Sequence, residues 1–358
     1  MSKKYISASD SCIRYMGRID KSDPDALKIV FAGTQITLRF VGTELSAVIT
    51  NHRFYNEMEL GLLVDGRESK VCFDTDRERF TLPLVGGLER KEHEITLFKR
   101  QDATHYFEFH GFETDSDAEI LPPRPLSDRR IECYGDSVSA GAVCEAVEYV
   151  ASNDPENNGG VFDNAYHAYP MITARNLGAE INNIAQGGIS IFDGYGYYHQ
   201  PDTIGMQTAF DKICYFPEDC GFINWDFSEY TPQVVIFAIG QNDQHNANGE
   251  DPDITDADFR YRWKEEYKRI IRTLRGHYPK ARFVLLLTVL MHDPEWDKVI
   301  DEIASELTAQ GDPYVSHLTF KRSGKATPGH PRLPEQYEMA SELTEYISRM
   351  GDDVWKER

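Results

Sequence analysis

The sequence lacks the features that mark membrane proteins and nucleic-acid-binding proteins. Its 358 residues include 38 lysines and arginines against 59 aspartates and glutamates, a formal net charge of −21. A field of this sign repels phosphate backbones and anionic lipids. The longest apolar run, residues 283–292, has about ten residues, well short of the ~20 that a membrane-spanning helix needs. We therefore expect no nucleic acid and no membrane as partners.

Cysteine is also scarce. The six cysteines are scattered, without a Cys-x-x-Cys pair and without the density of a disulfide-stapled domain. The first ten residues hold two lysines but no apolar segment behind them, as a secretory signal would require. If the sequence begins at the native N-terminus, these features predict a soluble protein in the reducing cytoplasm. A hydrophobic content of 41% excludes a disordered chain, and the length predicts two domains.

Residues 1–120 have the pattern of β structure throughout. Short alternating or β-branched runs are separated by turn residues such as Asp65-Gly66, a strong hairpin signal. The predicted strands are 27–31, 36–40, 45–50, 57–64, 69–73, 79–84, 94–99 and 106–112. Eight short strands without helical periodicity predict a β-sandwich of the jelly-roll type.

A proline-rich linker, residues 121–128, separates this domain from a different pattern over 129–358. Predicted strands that are nearly continuous in apolar residues alternate there with predicted helices. The strands are 130–134, 180–185, 234–239, 282–289 and 314–319, and the helices are 166–177, 259–274 and 334–350, followed by Gly178, Gly276 and Gly351. This alternation predicts a doubly wound, flavodoxin-like parallel sheet, in which ligands bind beyond the carboxyl ends of the strands.

Polar residues and glycines follow three of these strands. Ser137 comes after the first strand and Gly135, while Gly187 and Gly188 follow the second strand and Asn242 follows the third. A serine between a strand and a helix can expose its hydroxyl at the sheet edge, with its N–H at a helix N-terminus. Taken singly, each motif also fits ordinary turn or helix-capping chemistry. Together they converge on one cleft.

This combination resembles the SGNH (GDSL-like) hydrolases. Residues 131–137 resemble the first motif of that family, residues 240–243 the third, and Gly329-His330-Pro331 the last. The spacing after His330, the segment 225–228 and a jelly roll before the α/β domain are similar to carbohydrate esterase family 2. The resemblance covers essentially the whole chain.

The resemblance implies a serine esterase that removes acetyl groups from xylan-derived or related oligosaccharides. Ser137 would be the nucleophile and His330 the general base, and Ser137, Gly187 and Asn242 would form the oxyanion hole. Gly188 is the alternative to Gly187, because the chain has Gln-Gly-Gly-Ile where the family usually has Ser-Gly-x-Gly. No cofactor and no metal are implied, the jelly roll resembles carbohydrate-binding modules, and a homo-oligomer stays open.

The sequence departs from the family at one position. Many SGNH enzymes place an aspartate three residues before the histidine, and here that residue is Thr327. We therefore expect a Ser–His dyad in which a main-chain carbonyl orients the imidazole. Asp136 is expected to hold the Ser137 turn.

Two further residues are candidates for substrate contact. Trp225 could offer a sugar platform, and His292 follows a predicted strand, where it could be a substrate contact or a rival base. The acidic segment 251–258 lacks the pattern of a calcium loop, and no histidines show metal-ligand spacing. Two other functions stay open, a lipid or thioester esterase and a catalytically silent carbohydrate-binding protein. The tyrosine-rich loop 194–198 favours small acyl groups, which argues against the lipid or thioester esterase.

Overall fold

The computed structural model describes residues 3–54, 58–216 and 218–356. Its N-terminal part consists of two antiparallel sheets. The strands are β1 (Lys3–Ser7), β2 (Arg14–Met16), β3 (Leu27–Ile29), β4 (Gln35–Gly42), β5 (Leu45–His52), β6 (Glu59–Val64), β7 (Arg67–Cys72), β8 (Arg79–Val85), β9 (Lys91–Lys99), β10 (Tyr106–Asp115) and β11 (Glu119–Leu121). One sheet has the order β1-β10-β5-β8, with β3 also paired to β10, and the other has the order β11-β4-β9-β6-β7, with β2 paired to β4.

All eight strands expected from the sequence are present, although Glu57, where one was expected to begin, lies outside the described residues. The two sheets enclose one core because alternate residues along each strand face inward. Ile36, Leu38 and Phe40 of β4 are fully buried, as are Ile95 and Leu97 of β9. The short strands β1, β2 and β11 were not expected, since three to five residues give too little alternation to detect.

The C-terminal part is a five-stranded parallel sheet with helices on both faces. Its elements, with one inserted hairpin, are β12 (Arg130–Gly135), α1 (Tyr169–Leu177), β13 (Glu180–Ala185), α2 (Met206–Ala209), β14 (Lys212–Phe216), β15 (Gly221–Asn224), β16 (Val234–Ala238), α3 (Ala257–His277), β17 (Arg282–Leu285), α4 (Pro294–Ala309), β18 (Val315–His317) and α5 (Leu333–Ser348). The sheet order β13-β12-β16-β17-β18 is that of the flavodoxin-like class. Helices α1 and α5 pack against each other, as do α3 and α4. The predicted fold class is confirmed.

Helix α3 extends beyond its expected bounds, and helices α2 and α4 were absent from the sequence expectations. Helix α3 continues through Gly276 to His277, since Arg275 bonds the carbonyls of Tyr278 and Ala281 and holds the helix end in place. Helix α4 was not expected. Asp293 caps it by accepting a hydrogen bond from the Glu295 N–H, and proline follows at the first helical position.

The hairpin β14–β15 carries a disulfide between Cys214 and Cys220, whereas Cys12, Cys72, Cys133 and Cys144 are free. This pair weighs against the expectation of fully reduced cysteines, and the cytoplasmic location stays a prediction. No helix in the described part of the chain has the length and apolar character to cross a bilayer.

Buried cations join the two parts of the chain. Arg18, from the N-terminal part, donates to the carbonyls of Phe210 (3.0 Å) and Lys212 (2.8 Å) and pairs with Glu132 at 3.2 Å. Arg100, also buried, pairs with Glu145 at 2.5 Å. Because an unpaired buried cation is costly, these contacts fix the β domain against the parallel sheet.

Candidate active site

Ser137 lies just beyond the end of β12, at the carboxyl edge of the parallel sheet. The following residues form successive turns, with the Ala140 N–H bonded to the Asp136 carbonyl (3.0 Å) and the Ala142 N–H to the Ser137 carbonyl (2.9 Å). The helix expected directly after Ser137 is therefore absent from this described segment. Asp136 accepts the Val138 N–H at 2.9 Å, and burial raises the pKa of Asp136 to about 6. Asp136 thus holds the turn, as predicted.

His330 approaches Ser137 from the loop that precedes α5. Its Nε2 lies 2.8 Å from the Ser137 Oγ, a hydrogen-bonding distance. Two residues later, Arg332 forms the N-cap of α5, where its N–H is bonded by the Glu335 carboxylate at 2.7 Å. This hydrogen bond from the N-cap residue to the third residue of the helix fixes the start of the helix and with it the position of His330.

A carboxylate orients the histidine. Asp154 Oδ2 lies 2.6 Å from His330 Nδ1, and Asp154 Oδ1 accepts the His330 backbone N–H at 2.9 Å. The buried Arg332 guanidinium pairs with the same Oδ1 at 2.8 Å. Burial alone would raise the pKa of Asp154, but the hydrogen bonds from His330 and Arg332 hold this pKa well below its ordinary value. The carboxylate is therefore ionised at neutral pH.

The expected dyad with a main-chain carbonyl is wrong. Asp154 takes the place of the aspartate that the sequence lacks at Thr327, and it comes from the irregular segment between Ser137 and α1. Gly329 permits the approach, because a Cβ at this position would lie 2.7 Å from Asp154 Oδ1 and 2.7 Å from the Ser152 carbonyl oxygen. The local sequence around Asp154 carries no motif, so only the folded chain identifies it.

The expected oxyanion donors surround Ser137. A Cβ built on Gly187 would lie 3.8 Å from the Ser137 Cβ, so the two residues are neighbours. Asn242 lines the same cleft, and its Nδ2 donates one hydrogen bond to the Ile189 carbonyl at 3.0 Å. The second N–H of this amide is thus available to another acceptor. Gly188 also lines the cleft and has a left-handed backbone with φ 73°.

The Gly187 N–H already has an acceptor. It donates to Asp102 Oδ2 at 2.8 Å, and Asp102 comes from the β9–β10 loop of the N-terminal part. The same carboxylate oxygen lies 3.2 Å from the Gln186 Nε2. An acetyl oxygen can therefore use the Gly187 amide only if the Asp102 carboxylate moves aside. No sequence signal pointed to Asp102.

The structure contradicts both predicted substrate contacts. Trp225 is 8% exposed and does not line the cleft, because its ring packs against the Arg18 guanidinium, 5.0 Å away, in the contact between the two domains. His292 is buried too, with Nδ1 2.8 Å from the Leu290 carbonyl oxygen and Nε2 3.1 Å from Asp297 Oδ2. With both ring nitrogens engaged away from Ser137, His292 is neither a rival base nor a sugar contact.

The cleft around Ser137 has a volume of about 1080 Å³. Aromatic side chains form part of its wall, including Tyr197, which is 54% exposed and stacks on His245 with the ring centres 4.3 Å apart. Phe54, from the N-terminal part, packs edge-on against Phe216, 4.6 Å between centres, and both line the cleft. The cleft is thus bounded by both domains.

One group of side chains outside the cleft has metal-ligand character. Ligand atoms of Glu68, Glu145 and His167 lie within 4.8 Å of one another. The Asn164 amide donates to both glutamates at 2.7 Å, and Arg100 pairs with Glu145. Because these donors already satisfy the carboxylates, we interpret the group as a polar contact between domains.

The fold and the site together define an SGNH-type hydrolase with an N-terminal β-sandwich. The parallel sheet carries a serine after its first strand, glycines after its second and an asparagine after its third, and the histidine that bonds the serine precedes the last helix.

Comparison with known proteins agrees with this class. Residues 15–124 match the family model of the carbohydrate esterase 2 N-terminal domain. The chain is 30% identical over 343 residues to the cellulase/esterase CelE of Acetivibrio thermocellus, covering 94% of this chain but 39% of that protein. It is 26% identical to the acetylxylan esterase/glucomannan deacetylase of Cellvibrio japonicus, covering 97% of this chain and 91% of that protein.

A solved structure shows the same architecture. The family two carbohydrate esterase from Clostridium thermocellum in complex with cellohexaose superimposes with a TM-score of 0.77 and 29% identity, over 94% of this chain and 98% of that one. The chain thus has the N-terminal domain of carbohydrate esterase family 2 over residues 15–124, and over 94% of its length it has the architecture of a family two carbohydrate esterase.

Proposed function

We propose that the protein is a serine esterase that removes O-acetyl groups from xylan-derived or related acetylated oligosaccharides. The observation that carries this proposal is the row of hydrogen bonds from Ser137 Oγ to His330 Nε2 (2.8 Å) and from His330 Nδ1 to Asp154 Oδ2 (2.6 Å). A serine, a histidine and an ionised carboxylate in this order are the groups that acyl transfer through an acyl-enzyme needs.

Each group then has one role in the reaction. Ser137 Oγ attacks the acetyl carbonyl while His330 Nε2 takes its proton, and Asp154 holds the Nδ1–H and stabilises the imidazolium. The tetrahedral intermediate collapses when His330 returns the proton to the departing sugar hydroxyl, which leaves an acetyl group on Ser137. Water, activated by the same histidine, then releases acetate.

The developing negative charge needs donors beside Ser137. The second amide N–H of Asn242 and the backbone N–H of Ser137 are available, since in the described part of the chain the Ser137 N–H donates no hydrogen bond. The Gly187 backbone supplies a further N–H when the Asp102 carboxylate moves away from it. One such donor contributes roughly 10²–10³-fold to kcat.

The substrate class is supported by the cleft and by the relatives. Exposed aromatic faces such as that of Tyr197 suit the C–H faces of sugar rings. One relative is named for acetylxylan and glucomannan deacetylation, and another was solved with cellohexaose. A neutral, acetylated oligosaccharide is consistent with both.

The experiment measures acetate release from acetylated xylo-oligosaccharides, beside turnover of 4-nitrophenyl acetate and butyrate. We expect acetyl esters to be preferred and Ser137→Ala to lower kcat by about 10³-fold or more without a change in melting temperature. Equal or better turnover of butyrate would favour the lipid-esterase alternative. Sugar binding without any ester turnover would favour the catalytically silent protein.

A further inference from the structure

The β domain places a carboxylate directly against a backbone amide of the catalytic domain. Asp102 Oδ2 accepts the Gly187 N–H at 2.8 Å and lies 3.2 Å from the Gln186 Nε2, while Oδ1 accepts the Thr104 N–H at 3.0 Å. Asp102 and Gly187 both line the cleft that contains Ser137. The Asp102 carboxylate thus occupies the Gly187 N–H, a donor that would otherwise be available to a carboxylate ligand such as the acetate product.

The loop that carries Asp102 is fixed firmly. Lys99, completely buried, donates its ammonium hydrogens to the main-chain carbonyls of Gln101 (2.8 Å) and Asp102. On the other side, Gln186 Nε2 donates to Thr104 Oγ1 at 2.8 Å. Burial lowers the pKa of Lys99 to about 7, against the raising effect of the nearby Asp102 charge. The contact between the two domains therefore holds the backbone at Asp102 in place.

Carboxylates outnumber cationic groups around the cleft, where His199 pairs with Glu218 at 2.7 Å. Among the described residues that line it, the carboxylates are Asp102, Asp154, Asp163, Asp202 and Glu218, and none is a lysine or an arginine. The Asp154 charge is offset by Arg332 behind it. The hydrogen bonds to the Asp102 carboxylate come from neutral donors, and the buried Lys99 ammonium bonds only the main-chain carbonyl of Asp102. Lys99 interacts electrostatically with Asp102 and offsets part of its charge, and the remainder acts on whatever enters the cleft.

We propose that Asp102 is a specificity-determining residue that competes, as an intramolecular carboxylate, for the oxyanion donor Gly187. A neutral acetyl ester can displace it, because the ester brings no charge of its own and the developing oxyanion is stabilised by several donors at once. Free acetate and acidic ligands meet like-charge repulsion and are excluded. The inference rests on the proposed esterase function. It predicts that acetate, the product, inhibits the enzyme only weakly.

The test compares wild type, Asp102→Ala and Asp102→Asn, with Asp202→Asn as a control for charge, since Asp202 is an exposed carboxylate of the same cleft. The inhibition constant of sodium acetate is measured against 4-nitrophenyl acetate, with sodium chloride holding the ionic strength. We expect this constant to fall by about tenfold or more in Asp102→Ala, as removal of a like charge at close range allows. It should fall in Asp102→Asn too, and change by less than about twofold in Asp202→Asn.

Three outcomes would overturn the proposal. The first is an unchanged acetate constant in both Asp102 variants, and the second is a fall that Asp202→Asn reproduces. The third is a decrease in kcat by more than about tenfold at an unchanged melting temperature, which would make Asp102 a contributor to the chemistry. If Asp102→Ala unfolds, the isosteric Asp102→Asn, which can still accept the Gly187 N–H, decides the matter.

The result is separable from the esterase proposal. If wild type shows no ester turnover, the proposed function fails, whereas acetate binding to wild type and to Asp102→Asn can still be compared by saturation-transfer NMR. Tighter binding to the variant would support the role of Asp102 even then, and equal binding would refute it.

Discussion

Replacing Asp154 with asparagine tests the hydrogen-bonded triad from Ser137 to Asp154 at the residue that the sequence did not predict. Asparagine keeps the size of the side chain, and its oxygen can still accept hydrogen bonds from the His330 N–H and from Arg332, which now meet Asp154 Oδ1 at 2.9 and 2.8 Å. Its amide nitrogen then faces His330 Nδ1, 2.6 Å from the present Oδ2. Because an amide N–H cannot accept a hydrogen bond, the variant favours the tautomer with the proton on Nε2, which cannot take the Ser137 proton.

The size of the effect follows from this change of tautomer. Loss of the equivalent carboxylate in a serine triad costs ~10⁴-fold in kcat, which is about 5.4 kcal/mol at ~1.36 kcal/mol per tenfold. The Asp154 side chain is 31% exposed, so solvent weakens its effect, and we expect a loss of about 10³–10⁴-fold in kcat with a small change in KM. The pKa of Asp154 lies below its ordinary value, so the carboxylate contributes stability at neutral pH that is lost as the pH falls below ~4.

The assay follows the hydrolysis of 4-nitrophenyl acetate, and kcat is determined together with the melting temperature. Asp293→Asn is the matched control, because Asp293 is exposed, caps α4 and undergoes the same charge change. It should retain activity within about twofold, since asparagine is an equally good cap. An Asp154→Asn enzyme within tenfold of wild type would refute the triad and restore the dyad mechanism.

Two further predictions concern the cleft. Asn242→Ala should lower kcat by roughly 10²–10³-fold with a smaller effect on KM, and a change in KM alone would make Asn242 a ground-state contact. Burial raises the pKa of Asp163 to about 7, so the folded state binds more protons than the unfolded state between pH ~4 and ~7 and loses stability as the pH rises through this range. Asp163→Asn should therefore stabilise the fold more at pH 8 than at pH 5, as measured by urea unfolding. The full pKa shift of Asp163 corresponds to ~4 kcal/mol of unfolding free energy. The expected gain is a fraction of this value, because Asp163 is only partly buried. An equal gain from Asp163→Asn at both pH values would contradict the reasoning.

The sequence alone predicted the parts of the site that depend on topology. The strand pattern is regular, and the carboxyl ends of parallel strands must share one edge. The sequence therefore predicts that Ser137 and Asn242 share one cleft, and both line it. His330, identified from its short motif before the last helix, lies 2.8 Å from Ser137.

The parts that depend on irregular segments could not be predicted. Asp154 reaches His330 from a stretch without periodicity, and Asp102 reaches Gly187 from another domain. Trp225 was misassigned because an aromatic side chain near a sheet edge suggests a sugar platform, whereas the partner that buries it, Arg18, lies more than 200 residues away in the sequence.

The two carboxylates beside the reacting groups are held by different partners, and this difference separates their effects. Asp154 lies between His330 and the buried Arg332, so its charge is matched by a cation and can stabilise the imidazolium with little repulsion of the developing oxyanion. The carboxylate of Asp102 is bonded by neutral N–H groups such as that of Gly187, and it acts on anions in the cleft because Lys99 bonds its main-chain carbonyl and not the carboxylate itself. Replacing Asp154 should therefore lower kcat, whereas replacing Asp102 should raise the affinity for acetate. In the double variant each effect should keep the size that it has in the single variant, because the two act on different quantities.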